Sequence, residues 1–430
     1  MIILKKIKIG VLGGYRGSSM INYCKIVDHA EVVAICDKLD EVLEAQKKGA
    51  EGLDVTFYKD FDEFLKHDMD AVVLANYANE HAPFAIKAMK AGKHVFSEVL
   101  PCQTLKEAVE LIETVEETGM TYCYGENFCF MPAPYEMKRL YEDGELGEFE
   151  YAECEYVHNC APIWPRLTYG EKDHWRNNLY STFYCTHSLG PIIHITGLRP
   201  VKVTGFESNI NKRNRMIGSK AANFAIEMVT LENGGMIKSL HGGLNSTSYW
   251  FSMYGSKGRV ECDRDIPGLD RVTKIHLQVT DEFPTTEEHP AEHYIPKRFN
   301  EELGSQFGHH GGDFYSVWNF VEKLRGNQNA DIIDVYEAMD MFLPGMFAYR
   351  SILQDGKSMD IPNLRNKEER EKWRNDTSCT DPKVAGDMLL PTCKTGTPDI
   401  PDEVYDRVKE KWEEMQTEIY KRWVAKLNYE

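Results

Sequence analysis

KIGVLGGYRGSSM, residues 8–20, decides the fold. Lys8–Leu12 is a short apolar run that reads as a β-strand. It stops at Gly13-Gly14-Tyr15-Arg16-Gly17, and a helix is expected to begin near Ser18, a natural N-cap. A strand that enters a helix through glycines lets the backbone approach a pyrophosphate, while the helix start offers unpaired N–H groups and a positive dipole. The next strand, EVVAIC (Glu31–Cys36), is followed at once by Asp37. A carboxylate there, 24 residues beyond Gly13, can accept both ribose hydroxyls of NAD and repel the 2′-phosphate of NADP. The turn departs from G-x-G-x-x-G, because Tyr15 stands at the middle glycine.

Working outward, the same rhythm continues. Val55–Tyr58, Asp70–Asn76, His94–Ser97 and Thr121–Tyr124 are strand candidates, with helices expected over Phe84–Ala91 and Leu105–Thr118. Strands that are apolar throughout imply burial on both faces, hence a parallel sheet between helices. Residues 1–127 are therefore expected to form an NAD-binding Rossmann domain with a doubly wound, mostly parallel six-stranded sheet. After a helix over Tyr135–Asp143, the pattern changes. Phe149–Val157, Val201–Glu207, Phe224–Leu231, Met236–His241, Tyr249–Tyr254 and Arg259–Glu261 follow one another as strands, some joined by hairpin turns such as Glu232-Asn233-Gly234-Gly235. With helices expected at Asp313–Arg325 and Val335–Leu353, residues 128–362 read as an α+β substrate and oligomerisation domain built on a large, mostly antiparallel sheet. Residues 363–430 form an extension ending in an amphipathic helix, its stripe running from Val404 through Val408, Trp412, Met415 and Ile419 to Trp423.

Bulk properties exclude some partners. A net charge of −18 argues against nucleic acid and anionic membranes. Eleven cysteines with no C-x-x-C pair suit free thiols in a reducing compartment, and no segment approaches the about 18 uninterrupted apolar residues of a membrane span. The basic, apolar N-terminus runs straight into the glycine turn and reads as the first strand rather than a signal peptide. A cytoplasmic protein is expected.

The IGVLGG turn, Asp37, the block ANYANEHAPFAIKAMKAGKHVFSE (Ala75–Glu98) and the Glu145-Leu146-Gly147 turn together resemble the Gfo/Idh/MocA family of NAD(P)-dependent sugar oxidoreductases, over about Lys8 to Pro362. One departure matters. Where typical members carry Glu-Lys-Pro with a catalytic lysine, this chain has Glu98-Val99-Leu100-Pro101. A branch that also lacks the lysine contains the NAD-dependent α-N-acetylgalactosaminidases, which hydrolyse glycosides through transient oxidation. Gly125-Glu126-Asn127, Glu155-Tyr156-Val157-His158, the stretch from Trp175-Arg176 to His187-Ser188-Leu189-Gly190-Pro191, and Gly308–Asp313 are similar to segments of that branch. The chain differs from it in four extra residues, Ser181–Tyr184, and in lacking a twin-arginine signal.

The resemblance implies roles for particular residues. His187 is the first candidate for the base that handles the reacting hydroxyl; its alternative is a helix-start histidine satisfied by backbone. Tyr184, three residues earlier, projects beside it if a helix begins there. Tyr156 and His158 alternate on one strand and so share a face, Tyr156 being the proton-transfer candidate. Glu126, His158, Trp175, Arg176 and His309 are candidates for contacting substrate. Gly13, Gly14, Tyr15, Arg16, Gly17, Asp37, Asn76, His81 and Glu98 are candidates for holding NAD. His309, His310 and Asp313 have poor spacing for a shared metal, and Asp313 also suits a simple helix N-cap; no metal is expected. The expected activity is oxidation of a ring hydroxyl, at C3, of a sugar or glycoside by hydride transfer to NAD. The alternatives are a redox glycosidase that continues through elimination, water addition and re-reduction, and a non-catalytic NAD or sugar sensor. The family resemblance also implies a homo-oligomer formed through the sheet domain.

Overall fold

The computed structural model describes residues 6–264, 275–279 and 289–427, except for the side chains of 417–427. Six strands, β1 (Ile7–Leu12), β2 (Ala30–Cys36), β3 (Thr56–Tyr58), β4 (Ala71–Leu74), β5 (His94–Ser97) and β6 (Tyr122–Tyr124), form one sheet in the order β3-β2-β1-β4-β5-β6. Every neighbouring pair is parallel. Val11, Ala34, Val73 and Phe96 are fully buried, which is why these strands are apolar on both faces. The order reverses between β1 and β4, and the ends of those strands open the crevice where ligands bind in such sheets. The helix after β1 does start at Ser18, but its N-cap is Gly17 and no side chain caps it. Residues 1–5, the start of the run read as the first strand, lie outside the described residues.

The second sheet contains β7 (Phe149–Val157), β8 (Pro200–Glu207), β9 (Phe224–Leu231), β10 (Met236–Gly242), β11 (Ser248–Gly255), β12 (Gly258–Cys262), β13 (Ile275–Val279), β14 (Glu292–Tyr294) and β15 (Met359–Asp360). Its order is β14-β13-β12-β11-β7-β10-β9-β8-β15. All neighbours are antiparallel except β7 and β10. Burial alternates along β9, the mark of a sheet covered on one face. The covering helices are Thr186–Thr196 and Val335–Ile352, both almost wholly buried.

The C-terminal extension docks on this same chain. Arg370, 1% exposed, holds Glu116 with two N–H groups and donates to the Leu364 carbonyl at 2.6 Å. Arg374 holds Glu113 at 2.6 and 2.8 Å. The final helix, Asp402–Leu427, buries Val404, Tyr405 and Val408, sets Trp412 edge-on to Tyr169, and reaches Glu41 through Gln416. The Ile419 and Trp423 side chains lie outside the described ones.

Candidate active site

A cleft of about 1020 Å³ runs from the first turn of the Rossmann sheet to the covered face of the second sheet. Gly13 has φ +90°, and a Cβ on it would lie 2.4 Å from the Ala75 carbonyl oxygen. Only glycine lets β1 turn this close to the end of β4. Gly14 and Gly17 lie behind the cleft wall and support it. The Gly14 N–H donates to Asp37 Oδ2 at 2.8 Å and its carbonyl accepts from Gln46 at 2.7 Å. A Cβ on Gly17 would strike Val11 and the Gly13 carbonyl, so its role is close helix–strand packing.

Asp37, Tyr15, Asn76 and His81 line the cleft. Asp37 is already oriented, since its Oδ1 accepts from the Leu39 N–H at 2.9 Å; burial pushes its pKa up, while the Leu39 and Gly14 amides oppose that. His81 donates Nδ1–H to the Leu100 carbonyl at 2.9 Å, and burial lowers its pKa to about 4, so it is neutral. Its Nε2 and the Asn76 Oδ1 are buried without hydrogen-bond partners, and such atoms call for a polar ligand. The glycine cradle, the oriented carboxylate and these two unpaired acceptors fit NAD.

Arg16 does not point freely at a phosphate. It binds Asp313 through two N–H groups at 3.0 and 3.1 Å and Glu98 at 2.5 Å. Asp313 also accepts from Asn127 at 2.8 Å and pairs with His309 Nδ1 at 3.0 Å. Burial opposes its charge, yet Arg16 and His309 hold it well below the usual carboxylate range. The expectation of a simple N-cap is thus corrected: the cap is Gly311, and the Asp313 carboxylate ties the helix Gly312–Leu324 to the glycine turn. Glu98 lines the cleft at this junction.

The second cluster gathers around His187, in the first turn of the Thr186–Thr196 helix. Its Nδ1 meets Glu126 Oε1 at 2.6 Å, so a carboxylate rather than backbone satisfies it. With Nδ1 engaged, Nε2 is the nitrogen left for a substrate. Glu126 is fully buried behind His187 rather than in the cleft wall, and its Oε2 has no hydrogen-bond partner. Rings of Phe128, Tyr156 and Tyr184 enclose the imidazole at 4.7, 4.6 and 5.9 Å. Tyr184 precedes the helix but stacks on His187 all the same. The Tyr156 hydroxyl lies 3.1 Å from His158 Nδ1. Burial pushes the Tyr156 phenol well above its usual range. Burial, helped by His187, His309 and Arg176, lowers His158 to about 4. A neutral phenol therefore faces a neutral imidazole. Arg176 lies over the Trp175 and Tyr184 rings at 4.5 and 5.2 Å and, with Trp175 and His309, lines the cleft.

Sequence reasoning missed Asn127, Tyr77, Tyr169, His174 and His241, all at or beside this cleft. Alternation along β10 marks His241 as inward-facing; Tyr77 and Asn127 fall in segments that carry the family resemblance, and Tyr169 and His174 carry no local signal.

A nucleotide crevice in a doubly wound sheet, closed by histidine and tyrosine side chains from a second sheet, defines a two-domain NAD-dependent oxidoreductase. Comparison with known proteins agrees. Residues 7–126 match the family model of the oxidoreductase family NAD-binding Rossmann fold, and residues 245–374 match the C-terminal domain of glycosyl hydrolase 109. The chain thus joins a Rossmann domain that matches the Gfo/Idh/MocA model to a second domain that matches the glycosyl hydrolase 109 C-terminal model. A glycosyl hydrolase family 109 protein from Solibacter usitatus is 26% identical over 411 residues, covering 86% of this chain and 89% of the relative. An alpha-N-acetylgalactosaminidase from Shewanella oneidensis is 23% identical over 410 residues, with 84% and 85% covered. Among solved structures, the aldose-aldose oxidoreductase from Caulobacter crescentus shares the fold with a TM-score of 0.66 at 16% identity, over 83% of this chain and all of that one. No helix among the described residues is long and apolar enough to cross a membrane.

Proposed function

We propose that this chain is a redox glycosidase: it oxidises the C3 hydroxyl of a glycoside, cleaves the glycosidic bond, and restores the hydroxyl. NAD held by the Gly13 turn, Asp37, Asn76 and His81 would supply the acceptor for a hydride from the ring carbon and the donor that restores it. The protein's part is proton movement. His187 Nε2 takes the hydroxyl proton, and Glu126 stabilises the imidazolium that forms. A ketone at C3 acidifies the C2 proton. We assign its movement to Tyr156, whose ring packs against His187 and whose hydroxyl lies 3.1 Å from His158 Nδ1. Loss of the C1 substituent, addition of water and return of the proton at C2 give net hydrolysis, without the paired carboxylates of ordinary glycosidases.

The observation that carries this reading is the Glu126–His187 pair, 2.6 Å apart, beside Tyr156 in a cleft where Val99 replaces the family's lysine. The names of the glycosyl hydrolase 109 relatives support it. A dehydrogenase that stops at the keto sugar is the second reading, favoured by the likeness to sugar oxidoreductase structures. In the test, His187→Ala and Tyr156→Phe keep NAD affinity and lose turnover of nitrophenyl glycosides; full activity in either variant removes that residue's role. The uncovered face of the second sheet exposes Phe206, Met236 and Tyr254, which supports pairing with a second copy. Eleven free cysteines support a reducing, cytoplasmic setting.

A further inference from the structure

The two halves of the cleft differ in charge. On the Rossmann side Asp37, Asp60, Asp62, Glu80 and Glu98 line it. From Asn127 to His309 no lining residue among those described is an aspartate or glutamate, whereas Arg166, Arg176 and five histidines are. Acids outnumber Lys and Arg by 68 to 50 in this chain, so a carboxylate-free wall is the reverse of what its surface predicts.

Two arginines here have no part in the mechanism above. Arg166 lies in the short Trp164–Leu167 helix. Arg213 donates to the Gly243 carbonyl at 3.1 Å, and Gly243 itself lines the cleft. Neither has a carboxylate partner among the described residues, and Arg176 has none either. All three lie within electrostatic reach of the Cys160 thiol, which lines the same wall. Guanidiniums gathered without acids repel one another, and the arrangement is favourable once an anion joins them. A second observation points to a ligand at this place. Asn223 Oδ1 is buried without a hydrogen-bond partner and the residue lines this half of the cleft; His241, which lines it too, faces the buried Glu227 carboxylate at 3.7 Å.

We propose that Arg166 and Arg213, with Arg176, form an anion subsite, and that the glycoside taken by this chain carries a carboxylate, sulfate or phosphate. Planar guanidinium forks match the oxygens of all three groups. Asn223 Oδ1 accepts from a neighbouring hydroxyl of the same ligand. The inference deepens the glycoside reading and rests on it for turnover, while the anion subsite can be tested by binding alone.

The test uses the full NAD-loaded chain. Nitrophenyl glycosides in the gluco, galacto and manno series are compared as neutral, 6-carboxylate, 6-sulfate and 6-phosphate forms, and calorimetry measures binding of the corresponding free sugars. One charged form is expected to have a kcat/KM at least about tenfold above its neutral partner, the scale of one charge-assisted bond; which form wins identifies the anion. Arg166→Gln and Arg213→Gln are each expected to raise KM for that form about tenfold, leave kcat within about twofold, and leave neutral substrates unchanged. Two variants guard against a single folding failure. Turnover that favours neutral glycosides, with no effect of either variant, overturns the proposal and leaves the glycoside reading standing. Tighter binding of a charged sugar that depends on Arg166, without turnover of any glycoside, supports the subsite and overturns the catalytic reading. Neither binding nor turnover overturns both.

Discussion

Glu126→Gln separates the work of the Glu126 charge from its shape. The glutamine has the same outline, so Phe128, Tyr156 and Tyr184 keep their places around His187. Its amide oxygen can still accept from Nδ1–H, so ring orientation survives as well. What is lost is the negative charge 2.6 Å from the imidazole, needed when His187 takes up a proton. A hydrogen bond to a charged group is worth about 1.5–3 kcal/mol net, against about 1 kcal/mol for a neutral one. The difference is about 0.5–2 kcal/mol, and at about 1.4 kcal/mol per factor of ten it lowers kcat about 2- to 30-fold. The interaction strengthens only as the proton transfers, so KM and NAD affinity stay near the parent values. Folding stability should not suffer. Glu126 is fully buried and its Oε2 has no partner, and a neutral amide is less costly than a carboxylate in that position. The assay is steady-state turnover of a nitrophenyl glycoside beside NAD titration and a thermal melt. A kcat equal to the parent's, or a loss of kcat that follows a lowered melting temperature, would refute the reasoning.

Gly13→Ala places a methyl group against the Ala75 carbonyl at a φ of +90°; strain of about 1–2 kcal/mol plus the clash should cost NAD at least about tenfold in affinity, measured by fluorescence titration. Asp37→Ala should weaken NAD and narrow the preference over NADP; unchanged NAD affinity contradicts its assignment to the ribose. For His194, burial opposes the charge, yet Glu337 at 2.6 Å and Asp331 at 3.2 Å outweigh it, raising the pKa to about 9. A folded-state pKa raised above the usual 6.5 contributes stability that is complete below about pH 6.5 and is lost as pH rises through 9. Chemical denaturation from pH 6 to 10 should show that decline in the parent and a shallower one in His194→Gln.

Elements governed by local rules were legible in the sequence. The helix Leu105–Thr118 and the strand His94–Ser97 end where expected. Thr104 caps the helix through its side chain, and Gly119 closes it in the left-handed region; both signals sit in the sequence itself. The turn at Asn233-Gly234 was equally plain, with Gly234 at φ +89°. The helices Asp40–Gly49 and Phe61–Leu65 and the short strands β13, β14 and β15 were not anticipated, because a brief or largely polar segment leaves little periodicity to read. In the site, residue types were legible but their pairings were not. Glu126 and His187 stand 61 positions apart, and Arg16 and Asp313 stand 297 apart. No spacing rule reaches across two domains, so the sequence offers Glu126 as a substrate contact, whereas it stands buried behind His187. Asp313 suits a helix cap by its position, yet it is the acid that holds the glycine turn to the second domain.

The central claim is that oxidation here serves bond cleavage and is undone within each cycle. It is tested most directly by supplying a nitrophenyl glycoside in deuterium oxide to the chain loaded with a single equivalent of NAD. The account predicts many equivalents of nitrophenol, no growth of NADH absorbance beyond one equivalent, and deuterium at C2 of the released sugar. Nitrophenol release with hydrogen retained at C2, or NADH that accumulates with added NAD while the glycoside stays intact, would contradict it.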